Sequence, residues 1–255
     1  MCTRAVSGLA HYLEREGIPT AVIGTIRDHV VLVRPPRALV VPFELGRPFG
    51  APNAPDFQRR VLREVLALLE RTDGPILVDF PDGPPAPPAG LARWTPPPDA
   101  ARPAPPPRDP AELAAATRAE IGRLAPLRDR WLEAHGGRRF DRITGLDPDR
   151  IVALIDGFTR VPSIANPLPQ FALDRAVKLA ADDLKHFYYQ AALSRPGRIT
   201  DIALDDWFFG GTLAGEMLLR LRAALLASDD PNLQRFGETS FVPSHQAHRK
   251  PSNAD

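Results

Sequence analysis

The chain has 255 residues, 44% of them hydrophobic and 25% charged, which is enough for one large domain or two modest ones. Its net charge of +1 gives no reason to expect nucleic acid as a partner, and no apolar run is long enough for a membrane helix. A single cysteine, Cys2, excludes an intrachain disulfide and a cysteine-built metal site.

The six histidines have no metal-ligand spacing, so neither a metal nor a cofactor is expected. The N-terminus lacks the apolar stretch of a signal peptide and reaches Glu14 and Glu16 early, so a cytoplasmic location is expected. Only three of the 32 basic residues are lysine. That bias points to a GC-rich coding sequence, and richness in Arg and Ala is not read as function.

Val6, Leu9, Ala10 and Leu13 recur at helical spacing over residues 5–16, and Gly17 and Pro19 stop the helix. Thr20 to Ile26 is β-branched and nearly continuous, as in a buried parallel strand. A second strand, residues 38–41, runs straight into Pro42. An amphipathic helix over 55–70 places Phe57, Val61, Leu62, Val65, Leu68 and Leu69 on one face, and residues 75–80 form a third strand. This order predicts an α/β unit over 1–80 with an incomplete parallel, Rossmann-like sheet.

Residues 81–110 hold thirteen of the thirty prolines, which bars helix and central strand and predicts a semi-stiff linker, with Trp94 a candidate anchor. Beyond it the period is 3.6. Helices are expected over 110–135, with Pro126 a candidate kink, and over 147–160, capped by Asp147. Two more are expected over 169–193 and 201–228, giving an all-α domain over 111–242 and a disordered polar tail over 243–255.

Four groups could carry chemistry. Cys2 directly precedes a helix, whose N–H groups and dipole favour a thiolate, with Arg4 assisting; the alternative is an inert terminal residue. The loop after strand 38–41 carries Phe43, Glu44, Gly46 and Arg47, placed to hold a polar ligand beyond a strand's carboxyl end; the alternative is a structural turn. Asp183 and His186 share a helix face and, with Asp205, Asp206 or Glu216, could build a bundle metal site. A solvated charged face is the favoured reading of that pair. The aromatics Phe187, Tyr188, Tyr189, Trp207, Phe208 and Phe209 read as core before they read as a substrate cage. Gly210 and Gly211 suggest close helix packing or a helix junction.

Cys2-Thr3-Arg4, Gly17-Ile18-Pro19, and Pro42 with Leu45-Gly46-Arg47-Pro48 resemble the B component of the glycine, sarcosine, betaine and D-proline reductases over about a third of the chain. The resemblance implies thiol or selenol chemistry on a small amine or amino-acid-like substrate, with a possible protein redox partner and no nucleic acid or membrane. In that family a selenolate attacks the substrate carbon and displaces the amine. The selenocysteine lies just upstream of the Cys-Thr-Arg element, at a point this sequence does not reach. The resemblance therefore implies either a reading frame continuing upstream through an in-frame UGA codon, with a further strand, or a relative that lost the redox motif. Two other readings stand beside it: a non-catalytic binding or partner module, and a helical metal-dependent oxidase built on Asp183 and His186.

Overall fold

The computed structural model describes residues 3–43, 46–83, 94–98, 105–197 and 199–252. The chain divides into two compact units, Met1–Leu91 and Ala92–Asp255.

The first unit is a small parallel α/β layer. Helix α1 (Thr3–Arg15) buries Thr3, Ser7 and Ala10 along one stripe. It ends where Gly17 takes a φ of 77° and the Ile18 N–H returns to the Leu13 carbonyl at 3.0 Å. The Glu14 carboxylate at this end accepts from the Thr20 N–H, the Thr20 hydroxyl and Arg37, so it fixes both strand entries at once. Strands β1 (Val22–Gly24), β2 (Arg37–Val40) and β3 (Ile76–Asp79) lie side by side in that order, all parallel. Val22 pairs with Ala38, and Ala38 with Leu77.

Alternation along β2 assigns the two faces. Ala38 and Val40 pack against Val30 of helix α2 (Arg27–Val33). Leu39 and Val41 pack against Val61 and Val65 of helix α3 (Pro55–Ala67) and Leu68 just beyond it. Each such Val or Leu side chain contributes about 1.5–3 kcal/mol on burial. The face of α3 is narrower than its sequence suggests, because Leu62 and Leu69 are exposed.

Helix α2 is absent from the sequence reading. It has seven residues, and its Val-Val-Leu-Val run has strand rather than helix propensity. Packing decides instead. A Cβ at Gly24 would lie 2.4 Å from a Val30 methyl, so glycine in β1 is what lets α2 close onto the sheet.

The second unit is all-helical: α4 (Pro110–Ala134), α5 (Pro148–Arg160), α6 (Leu173–Leu193), α7 (Asp201–Gly211), α8 (Leu213–Leu226) and α9 (Pro231–Ser240). Leu124, Val152, Ile155, Val177, Tyr188, Phe208, Leu218 and Leu221 form its fully buried centre. Asp109, Asp147, Thr200, Thr212 and Asp230 each cap a helix through a side-chain oxygen. Pro126 lies inside α4 without ending it.

The expected helix over 201–228 is two helices. Thr212 takes extended backbone between them, and its hydroxyl accepts from the Gly215 N–H at 3.0 Å. Gly215 makes the close approach, since a Cβ there would sit 2.0 Å from the Phe208 carbonyl oxygen. Helix α9 was not expected from the sequence.

Two further expectations change. The proline-rich stretch 81–110 is described only in part, and its described residues from 94 onward belong to the helical unit. Trp94 donates to the Ala192 carbonyl at 3.0 Å and packs edge-on against Trp207, while the Pro107 and Arg108 carbonyls accept from Arg220. The tail is ordered over its described part. Gln246 is buried and donates to Asp206, and the Ser252 N–H and hydroxyl both donate to the buried Glu216 carboxylate. Its polar groups pair with the buried Glu216 and the exposed Asp206.

Candidate functional site

In a parallel sheet the strand carboxyl ends leave backbone groups and loops facing one edge, where ligands bind. Here that edge gathers the start of α1, the β1–α2 turn, the loop after β2 and the end of β3. A Cβ on Gly24, the last residue of β1, would lie 3.4 Å from the Thr3 methyl, so the first turn of α1 packs onto the end of β1. Arg27 opens α2 and donates through Nε and Nη2 to the two Asp79 oxygens, 3.1 Å each, at the end of β3. Both side chains are more than half exposed, so the pair adds little stability. Deeper in α1, the fully buried Ser7 hydroxyl has no hydrogen-bond partner among the described residues.

The structure distributes the expected site residues unevenly. Phe43 does not face a crevice. It is buried, packing within 6 Å of Phe57 and Phe80 in an aromatic trio, with the Arg60 guanidinium over the Phe57 and Phe80 rings. An aromatic directly after a buried strand continues that strand's inward alternation, so its role is packing. Gly46 and Arg47 are exposed, and Gly46 has a φ of 85° that favours glycine. Arg4 is exposed in the first turn of α1. Cys2 and Glu44 lie outside the described residues.

The helical unit carries acids with other duties. Asp183 is neither a solvated charge nor an open metal ligand. It is buried, and its carboxylate accepts from the Ile143 N–H at 2.7 Å, the Thr144 N–H at 2.8 Å and the Thr144 hydroxyl at 2.6 Å. His186 is partly buried, its Nδ1 without a partner among the described residues, and burial holds its imidazole below the ordinary value. Among the described residues no group of three or more His, Cys, Asp or Glu comes together as a metal site.

Tyr188 and Phe208 are core, as their spacing suggests. Tyr189 donates to Asp205, whose other oxygen lies 3.2 Å from His245 Nε2, and burial raises the Asp205 carboxyl above the usual range.

Glu120 was missed. It sits fully buried on the inner stripe of α4 with Leu113, Thr117 and Leu124, accepting from the Tyr188 hydroxyl at 2.6 Å and the Leu213 N–H at 3.0 Å. Burial pushes its carboxyl up to about 7, against the pull of Tyr188 and the first N–H groups of α8. Its phase in the helix, an acid on the apolar stripe, was the signal that could have found it.

No family profile, no curated protein and no solved structure matches the chain. No helix among the described residues is long and apolar enough to cross a membrane.

Proposed function

We propose that the chain is a relative of the B component of the glycine, sarcosine, betaine and D-proline reductases. Its first unit is then an incomplete Rossmann-like layer, joined through the proline-rich stretch to a helical domain. Its chemistry is thiol-based and acts on a small amine or amino-acid-like substrate at the carboxyl edge of the sheet, with Cys2 as the redox residue and Arg4 beside it.

The observation that supports this reading is the packing of Thr3 on Gly24. It brings the first turn of α1 to the edge where parallel sheets bind ligands. Cys2 precedes Thr3 in sequence. Arg27, Asp79, Gly46 and Arg47 supply polar groups on the loops and strand ends of the same unit, suited to a zwitterion.

Cys2 is the chain's one thiol, so any thiol reaction reports on it alone. Alkylation of the full chain at pH 6–7 should run clearly faster than that of a peptide carrying the same first residues, because a helix N-terminus lowers the thiol pKa from about 8.5. Arg4→Ala should slow it. Rates equal to the peptide's, with no effect of Arg4→Ala, refute the redox reading and leave a non-catalytic partner module in its place.

A further inference from the structure

We propose that the last turn of α7 is a niche for an arginine side chain of a basic partner peptide, and that this chain's own Arg249 fills it as a built-in competitor. The proposal concerns the helical unit alone and is independent of the thiol chemistry above.

Gly210 carries the argument. It lies in the last turn of α7, where alanine would make a better helix. The atoms that a Cβ there would meet all belong to the Arg249 guanidinium, with Nη1 at 2.8 Å, Cζ at 3.3 Å and Nη2 at 3.4 Å. Glycine thus leaves room on the helix surface for one flat cation. The rest of the fork is read as well. Asp206 accepts from Nη2 at 3.0 Å, and the Gln246 side-chain carbonyl accepts from Nε. Gln246 is itself buried and donates to the same Asp206 oxygen at 2.9 Å, so the two acceptors hold each other in place. A lysine has no planar fork to match this set.

The chemistry of the occupant follows from charge. Helix α7 carries Asp201, Asp205 and Asp206 and no Lys or Arg, so its surface draws a basic segment. The segment that lies on it is basic: His245 Nε2 is 3.2 Å from Asp205, and His248 and Lys250 flank Arg249 in sequence. Arg249 is nevertheless easy to displace. Its side chain is 29% exposed and that of Asp206 52%, and ion pairs open to water in this way return little stability. The segment is tied on both sides of Arg249, by Gln246 to Asp206 and by Ser252 to Glu216, so the arginine can swing out while its neighbours stay. A helix that gives up a better residue for so weak a contact is shaped for a second arginine, delivered by a partner.

Titration calorimetry of the full chain tests this, with a synthetic peptide of residues 247–251 as the probe. Arg249→Ala empties the niche. That variant should bind the peptide with a dissociation constant below about 1 mM, about tenfold or more tighter than the wild type does. Arg249→Lys in the peptide should weaken binding about tenfold or more. Gly210→Ala, added to Arg249→Ala in the chain, should abolish binding without lowering the melting temperature, since it improves the helix. Asp206→Asn in the same background should also abolish it, and if that variant misfolds, Gly210→Ala decides. An Arg249→Ala chain that binds no peptide up to about 1 mM overturns the proposal. So does equal affinity for the wild type and Arg249→Ala, or binding that is indifferent to Arg249→Lys in the peptide or survives Gly210→Ala.

Discussion

Glu120→Gln isolates a charge that three helices share. The carboxyl sits on α4, accepts from Tyr188 of α6 and from the Leu213 N–H at the start of α8, and is fully buried. Burial raises it from 4.5 to about 7. In the unfolded chain it titrates near 4.5, so between those two values the folded state holds a proton that the unfolded state has lost. Stability is therefore greatest below about pH 4.5, falls as pH rises toward 7, and is flat beyond. The full difference corresponds to about 3 kcal/mol, most of it between pH 5 and 8. Glutamine keeps the network without the proton: its carbonyl accepts from Leu213 and its amide donates to the Tyr188 oxygen. All three tryptophans, Trp94, Trp131 and Trp207, lie in the helical unit, so fluorescence-monitored urea unfolding reads that unit directly. The wild type should lose about 2–3 kcal/mol more than Glu120→Gln between pH 5 and 8. Parallel pH profiles would refute the reasoning, and would mean that the Tyr188 hydroxyl and the α8 N–H groups hold Glu120 ionised despite its burial.

The same assay tests three other sites. Asp183→Ala strands the Ile143 and Thr144 N–H groups and the Thr144 hydroxyl, and should cost the helical unit roughly 3 kcal/mol or more, whereas Thr144→Val should cost roughly 1–2. Gly215→Ala drives a methyl to within 2.0 Å of the Phe208 carbonyl and should cost about 3 kcal/mol or prevent folding. Gly122→Ala, in open space on α4, should stabilise by up to about 1 kcal/mol.

The helices that announce themselves in the sequence are those with an apolar stripe, and a cap sharpens some of their starts; α9, capped by Asp230 but with only Gly237 buried, does not announce itself. Asp147-Pro148 marks the start of α5, and Asp109-Pro110 that of α4, because one side-chain oxygen and one fixed φ settle the local backbone. Strands β2 and β3 are legible as short β-branched runs. Helix α2 is not, since its residues favour a strand and only the contact of Val30 with Gly24 makes them helical. Thr212 separates α7 from α8 in a way the continuous apolar pattern conceals, although the glycines before it hint at a junction. At the site, the loop after β2 is legible as irregular through its prolines and glycines, but the burial of Phe43 depends on Phe57 and Phe80, fourteen and thirty-seven residues away. Asp183 and Glu120 look like surface charges in composition. Only the loop and helix ends they meet, distant in sequence, give them their work.

Arg220 reaches the Pro107 and Arg108 carbonyls with one end of its fork and the Glu216 carboxylate with its Nε, while Ser252 closes on that same carboxylate. The approach to α4 and the segment after α9 are thus tied to one spot on α8. Tension applied between Pro107 and Ser252 would load Arg220 and Glu216 before it reached the helix packing.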